Sequence, residues 1–158
     1  MLLDSNAERM AYRIGRGEQG VLTFEPYKSE LLPHWRFRTP DIARQSSETL
    51  WEKFKDFGKE GDFIGMDMSR KFIQMAQLPG MTRAKRYAQH KGGRKYNRDT
   101  GEELPKSQSH VDYADKLEAS ETFKAVWARC REDEIYQKLK GEFQEAQKEW
   151  DKAQCKAK

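Results

Sequence analysis

The chain has 158 residues, 36% of them apolar and 35% charged, with a formal charge of +4. That length suits a single domain able to bury roughly two-thirds of its unfolded surface, and an 11% aromatic content excludes a charged disordered chain. No run approaches the ~18 apolar residues of a membrane span, the start Met1-Leu-Leu-Asp-Ser-Asn lacks the basic and apolar regions of a secretory leader, and Cys130 and Cys155 build no disulfide framework, so a cytoplasmic setting without a membrane partner is expected.

Residues 1–11 read as a flexible N-terminus. Gly15, Gly17 and Gly20 then mark a turn, and its flanks Tyr12–Ile14 and Val21–Phe24 suit a small irregular or hairpin element. Tyr27–Leu32 makes one or two helical turns ending near Pro33. Thr39, Pro40 and Asp41 form a strong helix start: a capping hydroxyl, a proline at the first position and an acid in the first turn. Ala43, Leu50, Trp51, Phe54 and Phe57 follow on one stripe, and Gly58 ends that helix. Asp62 caps the next, whose stripe is Ile64, Met68, Phe72 and Met75. Leu78-Pro79-Gly80 is a break, and Thr82 opens a third helix that stops at Lys91-Gly92-Gly93. Residues 97–111 form an exposed loop. Ser120 caps a helix carrying Phe123, Val126, Trp127 and Cys130, and Asp133 resets the chain into a last helix with Tyr136, Leu139, Phe143 and Trp150. The expected fold is mainly α, a compact five- to six-helix domain over residues 12–152, with a flexible basic tail at 153–158. The expected core is Trp51, Phe54, Phe57, Phe72, Met75, Trp127, Leu139 and Phe143.

Charge is unevenly distributed. Residues 68–98 carry nine Lys/Arg and no acid, whereas the segments before and after it are both net negative. A run of cations without local counter-charge attracts phosphates. On a helix Arg83, Arg86 and His90 share one side with Tyr87 adjacent, and Arg94 and Lys95 extend past a Gly-Gly pair. A basic helix followed by a basic-aromatic arm tracks a phosphate backbone and stacks on a base. The expected nucleic-acid or phosphate-binding residues are therefore Arg70, Lys71, Arg83, Lys85, Arg86, Tyr87, His90, Lys91, Arg94 and Lys95. The competing account is that the acidic last third covers them.

Other motifs are weaker. Gly15-x-Gly17-x-x-Gly20 matches a dinucleotide fingerprint in spacing but lacks its βαβ setting; it reads as a glycine turn, or as an anion-binding loop with Arg13 and Arg16. His34, His90 and His110 have no metal-ligand spacing, so no metal and no cofactor are expected. Cys130 lies on an apolar stripe, where packing outweighs reactivity. The acids Glu48, Glu52, Asp56 and Glu60 beside Lys53, Lys55 and Lys59 form a solvated face. No catalytic residue is assigned.

The run Tyr12-Arg-Ile-Gly-Arg-Gly-Glu-Gln-Gly-Val-Leu22, with Glu25-Pro-Tyr-Lys, Leu32-Pro-His-Trp-Arg-Phe-Arg-Thr-Pro40, Gly61-Asp-Phe-Ile-Gly-Met-Asp-Met-Ser-Arg-Lys-Phe72 and Thr82-Arg-Ala-Lys-Arg-Tyr87, resembles a domain family of unknown function associated with bacteria, bacteriophages and fungi. The resemblance spans about residues 12–150 and implies no activity or site residue.

Three functions are open on the residues. The first is a non-enzymatic binding protein for an anionic partner, DNA or RNA foremost, through residues 70–98, with helices at 40–57, 62–77 and 81–90 ordered as in a helix-turn-helix. The second is a protein-interaction module using Phe143 and Trp150 of the C-terminal helix. The third is an enzyme or sensor for a phosphorylated ligand, with a pocket formed by Arg13, Arg16, Lys28, His34, Trp35, Arg36 and Arg38.

Overall fold

The computed structural model describes residues 2–89 and 113–156, with side chains for residues 2–77, 114, 115 and 117–156. Among the described residues there are six α-helices and no strand: α1 (Asn6–Met10), α2 (Tyr27–Leu31, continued by a 3-10 turn over Leu32–His34), α3 (Pro40–Lys59), α4 (Phe63–Gln89), α5 (Tyr113–Glu132) and α6 (Glu134–Lys156). Helices α3, α4 and α5 pack on one another as the body of the domain, and α6 lies against α4 and α5.

Local chemistry accounts for the α3–α4 corner. The Thr39 hydroxyl accepts the Ile42 N–H at 3.2 Å, with Pro40 in the first turn. At the other end Glu60 is the last helical-type residue and Gly61 takes φ +73°. The Gly61 N–H donates to the Gly58 carbonyl and the Asp62 N–H to that of Phe57, which satisfies two terminal carbonyls in the pattern a left-handed glycine allows. The stop therefore falls at Gly61, three residues later than the glycine expected to end the helix. Asp62 then caps α4 by accepting the Gly65 N–H. The two helices meet closely: a Cβ on Gly65 would stand 2.3 Å from the Phe57 ring.

Helix α4 is buried on all sides over its first three turns. Phe63, Ile64, Met66, Met68, Phe72 and Ile73 are buried, and so are Asp67, Ser69, Arg70 and Lys71. The expected core is found where the stripes placed it: Phe54, Phe57, Phe72 and Phe143 are buried, while Trp51, Met75, Trp127 and Leu139 pack against them partly buried.

Two local expectations are corrected. The α4 backbone continues through Leu78-Pro79-Gly80 to Gln89, so no separate third helix follows a turn and the helix-turn-helix order does not arise. An interior proline costs about 3 kcal/mol of helix stability, but α5 packs along α4 and Ser120 donates to the Gln77 carbonyl at 2.9 Å, just before the proline. Tertiary packing there outweighs local propensity. Ser120 consequently sits inside α5 rather than capping it. At the N-terminus, residues 6–10 form a helical turn with Met10 buried, and Gln147 of α6 donates to the carbonyls of Met10 and Tyr12.

Candidate functional site

The glycine segment is a chain of turns, with Gly15, Gly17 and Gly20 at φ +66°, +55° and +82°. Such backbone presents carbonyls as well as N–H groups, and here two α4 cations take the carbonyls. The Lys71 ammonium donates to the carbonyls of Arg13 at 3.0 Å and Gln19 at 2.8 Å. Arg70 donates to the Gly17 carbonyl and to Gln74 Oε1. The Gln19 and Val21 N–H groups are spent on turn bonds to the Arg16 and Glu18 carbonyls. The loop is thus clamped to a cationic helix, and the anion-binding loop with Arg13 and Arg16 is not what it builds.

Beneath the loop lies Asp67, fully buried. Its carboxylate accepts from Arg70 Nε at 3.0 Å and Nη2 at 2.6 Å. It also accepts from the phenols of Tyr136 at 2.7 Å and Tyr12, and Lys71 Nζ stands 3.9 Å away. Lys71 lies over the Tyr12 ring, 4.5 Å from its centroid. Burial, then the facing carboxylate, pushes both phenols above the ordinary tyrosine value. Burial lowers the Lys71 ammonium to about 8, Asp67 opposing and Arg70 adding to the fall. For Arg70 burial also disfavours the charge, but Asp67 and the phenols more than offset it and hold the guanidinium above its usual value. Every member is hydrogen-bonded, which is the condition under which a buried polar network can be stable.

A cleft of about 370 Å³ opens above this hub. The glycine loop (Ile14, Gly15, Gly17), α4 (Arg70, Gln74), the end of α5 (Trp127, Arg131) and the start of α6 (Tyr136, Gln137, Lys140) line it. Among the described residues no carboxylate lies in the wall. Asp67 answers the Arg70 charge from below, so the cleft's free positive charge is that of Arg131 and Lys140, neither of which meets a carboxylate at bridging distance among the described residues. The Arg131 guanidinium lies over the Trp127 ring, 4.7 Å from its centroid. Gln137 bonds the Arg131 carbonyl at 2.9 Å, and Asp133 accepts the Tyr136 N–H at 2.8 Å, holding the α5–α6 corner.

The family model described as a domain of unknown function (DUF4385) matches residues 1–146. The chain belongs to this family. No curated protein and no solved structure matches it.

Hub and cleft both lie within the matched part of this DUF4385 chain. The sequence-predicted residues scatter around them. Arg70 and Lys71 are buried and internally bonded, so neither belongs to an exposed basic face. Arg83, Lys85, Arg86 and Tyr87 lie on the α4 backbone, but their side chains, and His90, Lys91, Arg94 and Lys95 altogether, fall outside the described residues. The second predicted pocket does not assemble. Arg13 forms a forked pair with Asp151 at 3.1 and 3.2 Å, and Lys28 pairs with Glu25 at 3.3 Å. Arg16 and Arg38 are exposed. His34 and Arg36 share a hollow of about 230 Å³ with Ile42, Gln45 and Thr49. Ser46 pins that segment to α3 by donating to the His34 carbonyl and accepting the Arg36 N–H. Trp35 is mostly buried edge-on to Phe37.

Phe143 contacts the rings of Phe63 and Tyr12, and Trp150, partly buried, packs against the core. Glu118 pairs with Arg44 on α3. Burial raises the Cys130 thiol and keeps it protonated. Among the described residues no group of His, Cys, Asp and Glu could hold a metal ion, and no helix is long and apolar enough to cross a membrane.

Sequence reasoning missed Asp67, Tyr12, Tyr136, Trp127, Arg131 and Lys140. One signal was available: Asp67 is an acid inside an apolar helical run, three and four residues before Arg70 and Lys71, the spacing of helical ion pairs.

Proposed function

We propose that the chain is a non-enzymatic binding protein whose cleft takes a phosphate-type anion. The observation that carries this reading is a concave wall holding Arg131 and Lys140 with no carboxylate among the described residues. A phosphate dianion matches two cations, and a planar guanidinium suits its oxygens. Each charge-assisted hydrogen bond contributes about 1.5–3 kcal/mol, so two such contacts correspond to roughly millimolar affinity or somewhat better. The same chemistry comes from a free phosphorylated compound or from a nucleic-acid backbone. The volume favours the former: about 370 Å³ is near the lower end of small-molecule pockets.

Calorimetric titration of the full chain with pyrophosphate and with single- and double-stranded oligonucleotides, at several salt concentrations, tests it. Pyrophosphate is expected to bind and to lose its site in Arg131→Glu with Lys140→Glu. If four to six cations meet a nucleic-acid backbone, log K falls with log salt at a slope of about −4 to −5. Oligonucleotide binding with that slope, untouched by the double reversal, would move the anion site to the basic segment beyond the cleft. No binding of any probe at low salt would sink the reading.

A further inference from the structure

The cleft contains more than charge. The Arg131 guanidinium carbon lies over the Trp127 ring, 4.7 Å from its centroid, and Arg131 is an exposed residue. A guanidinium plane held on an aromatic ring offers its free face to a flat π-system. Two amides, Gln74 and Gln137, line the same cleft. Gln74 uses Oε1 to accept from Arg70, leaving Nε2 as a donor. Gln137 uses Nε2 to donate to the Arg131 carbonyl, leaving Oε1 as an acceptor. Lys140 follows Gln137 by three residues on α6, a rise of about 4.5 Å along the helix. Stacking face, donor, acceptor and cation therefore line one cleft of about 370 Å³.

We infer that the cleft selects a mononucleotide, with its base on the Arg131–Trp127 pair, its base edge toward Gln74 and Gln137, and its phosphate at Lys140. This rests on the anion-binding reading and narrows it. Inorganic phosphate would use the two cations but neither amide nor the stacking face, and a sugar phosphate would leave the stacking face in water. The glycine loop forms part of the cleft wall, and its clamp by Arg70 and Lys71 holds it to α4.

The test compares AMP, GMP, CMP and UMP with ribose 5-phosphate by calorimetry, on the parent chain, Arg131→Lys and Lys140→Ala. At least one nucleotide should bind about tenfold or more tighter than ribose 5-phosphate, the fold-change that stacking of one base supplies. Arg131→Lys keeps the charge and loses the plane. It should abolish that preference while ribose 5-phosphate affinity changes less than about threefold. Lys140→Ala should weaken both ligand types together. Both substitutions are at positions outside the core, and a circular-dichroism melt verifies folding. Equal affinity for nucleotides and ribose 5-phosphate, or a preference that survives Arg131→Lys, overturns the nucleotide inference and leaves anion binding standing. Absence of all binding by the folded parent chain overturns both.

Discussion

Arg70 and Lys71 at the hub, and Arg131 and Lys140 at the rim, are the same residue types placed at different depths: Arg70, Arg131 and Lys140 line one cleft, and Lys71 is wholly buried beneath it. The first pair is buried among Asp67, two phenols and three loop carbonyls. The second pair has no carboxylate partner among the described residues. Cations at the hub are committed to holding the glycine loop, because a buried charge must be paired or be expelled. Cations at the rim keep their hydration and can exchange it for a ligand. Charge density in a segment is therefore a poor guide to an anion site: in residues 68–77 the acid-free stretch supplies the hub, while the rim cations come from a part of the chain that is net negative.

The strongest way to break this comparison is Asp67→Ala. It strands two buried cations, and removing one partner of a buried pair costs about 3–5 kcal/mol, as much as Phe54→Ala in the core. Urea melts of both variants measure it; an Asp67→Ala chain as stable as the parent would show that the hub contributes no cohesion.

Next is a pH ramp from Lys71. Its folded value of about 8 lies below the 10.5 of an ordinary lysine. Between those values the unfolded chain binds the extra proton, so stability rises with pH from about 8 to 10.5 and is lost again as pH falls back through 8. The full gain is on the order of 3 kcal/mol. Tyr12, Tyr27 and Tyr136 act oppositely: their phenols are held above the ordinary 10.0, so the unfolded chain releases those protons first and stability falls above pH 10. Urea midpoints from pH 7 to 11 should peak near pH 10, and Lys71→Met should flatten the rise. A flat parent profile between 8 and 10 would contradict the burial of this ammonium.

A smaller effect sharpens the role of the clamped loop. Gly17 has φ +55°, and a Cβ there would stand 3.3 Å from Gln74 Nε2. Gly17→Ala should cost about 1–2 kcal/mol from the left-handed backbone, read as a lower melting temperature, whereas an alanine tolerated without loss would mean the loop is free to rearrange.

The smallest expected change is at the rim. Arg131→Ala and Lys140→Ala should each move stability by less than about 0.5 kcal/mol while weakening pyrophosphate binding. Thermal melts beside the titrations check this. A large stability loss at either position would erase the distinction between hub and rim.

Much of the fold was legible. Thr39-Pro40-Asp41, Asp62 and Asp133 stand at the helix starts they were expected to mark, because capping is a contact between residues three apart in sequence and needs nothing from the rest of the chain. The stripe Ala43–Leu50–Phe54–Phe57 is buried for the same kind of reason: helical periodicity is local. Pro79 misled because its penalty is local while the packing that opposes it comes from α5, some forty residues later. Of the pocket expected from Arg13, Arg16, Lys28, His34, Trp35, Arg36 and Arg38, only His34 and Arg36 share a hollow, because adjacency in sequence does not aim side chains at one point; Arg13 reaches α6 and Lys28 turns to Glu25.

From residue order alone came the helical class, the caps, the core stripes and the existence of a turn at Gly15–Gly20. Tertiary structure alone decided which cations are spent and which are free. The Tyr12 and Tyr136 phenols meet Asp67 across 55 and 69 residues, and Arg131 and Lys140 face the glycine loop from the far end of the chain. The charge state and availability of a side chain depend on the dielectric and the partners around it, and those are properties of packing, which no stretch of sequence contains by itself.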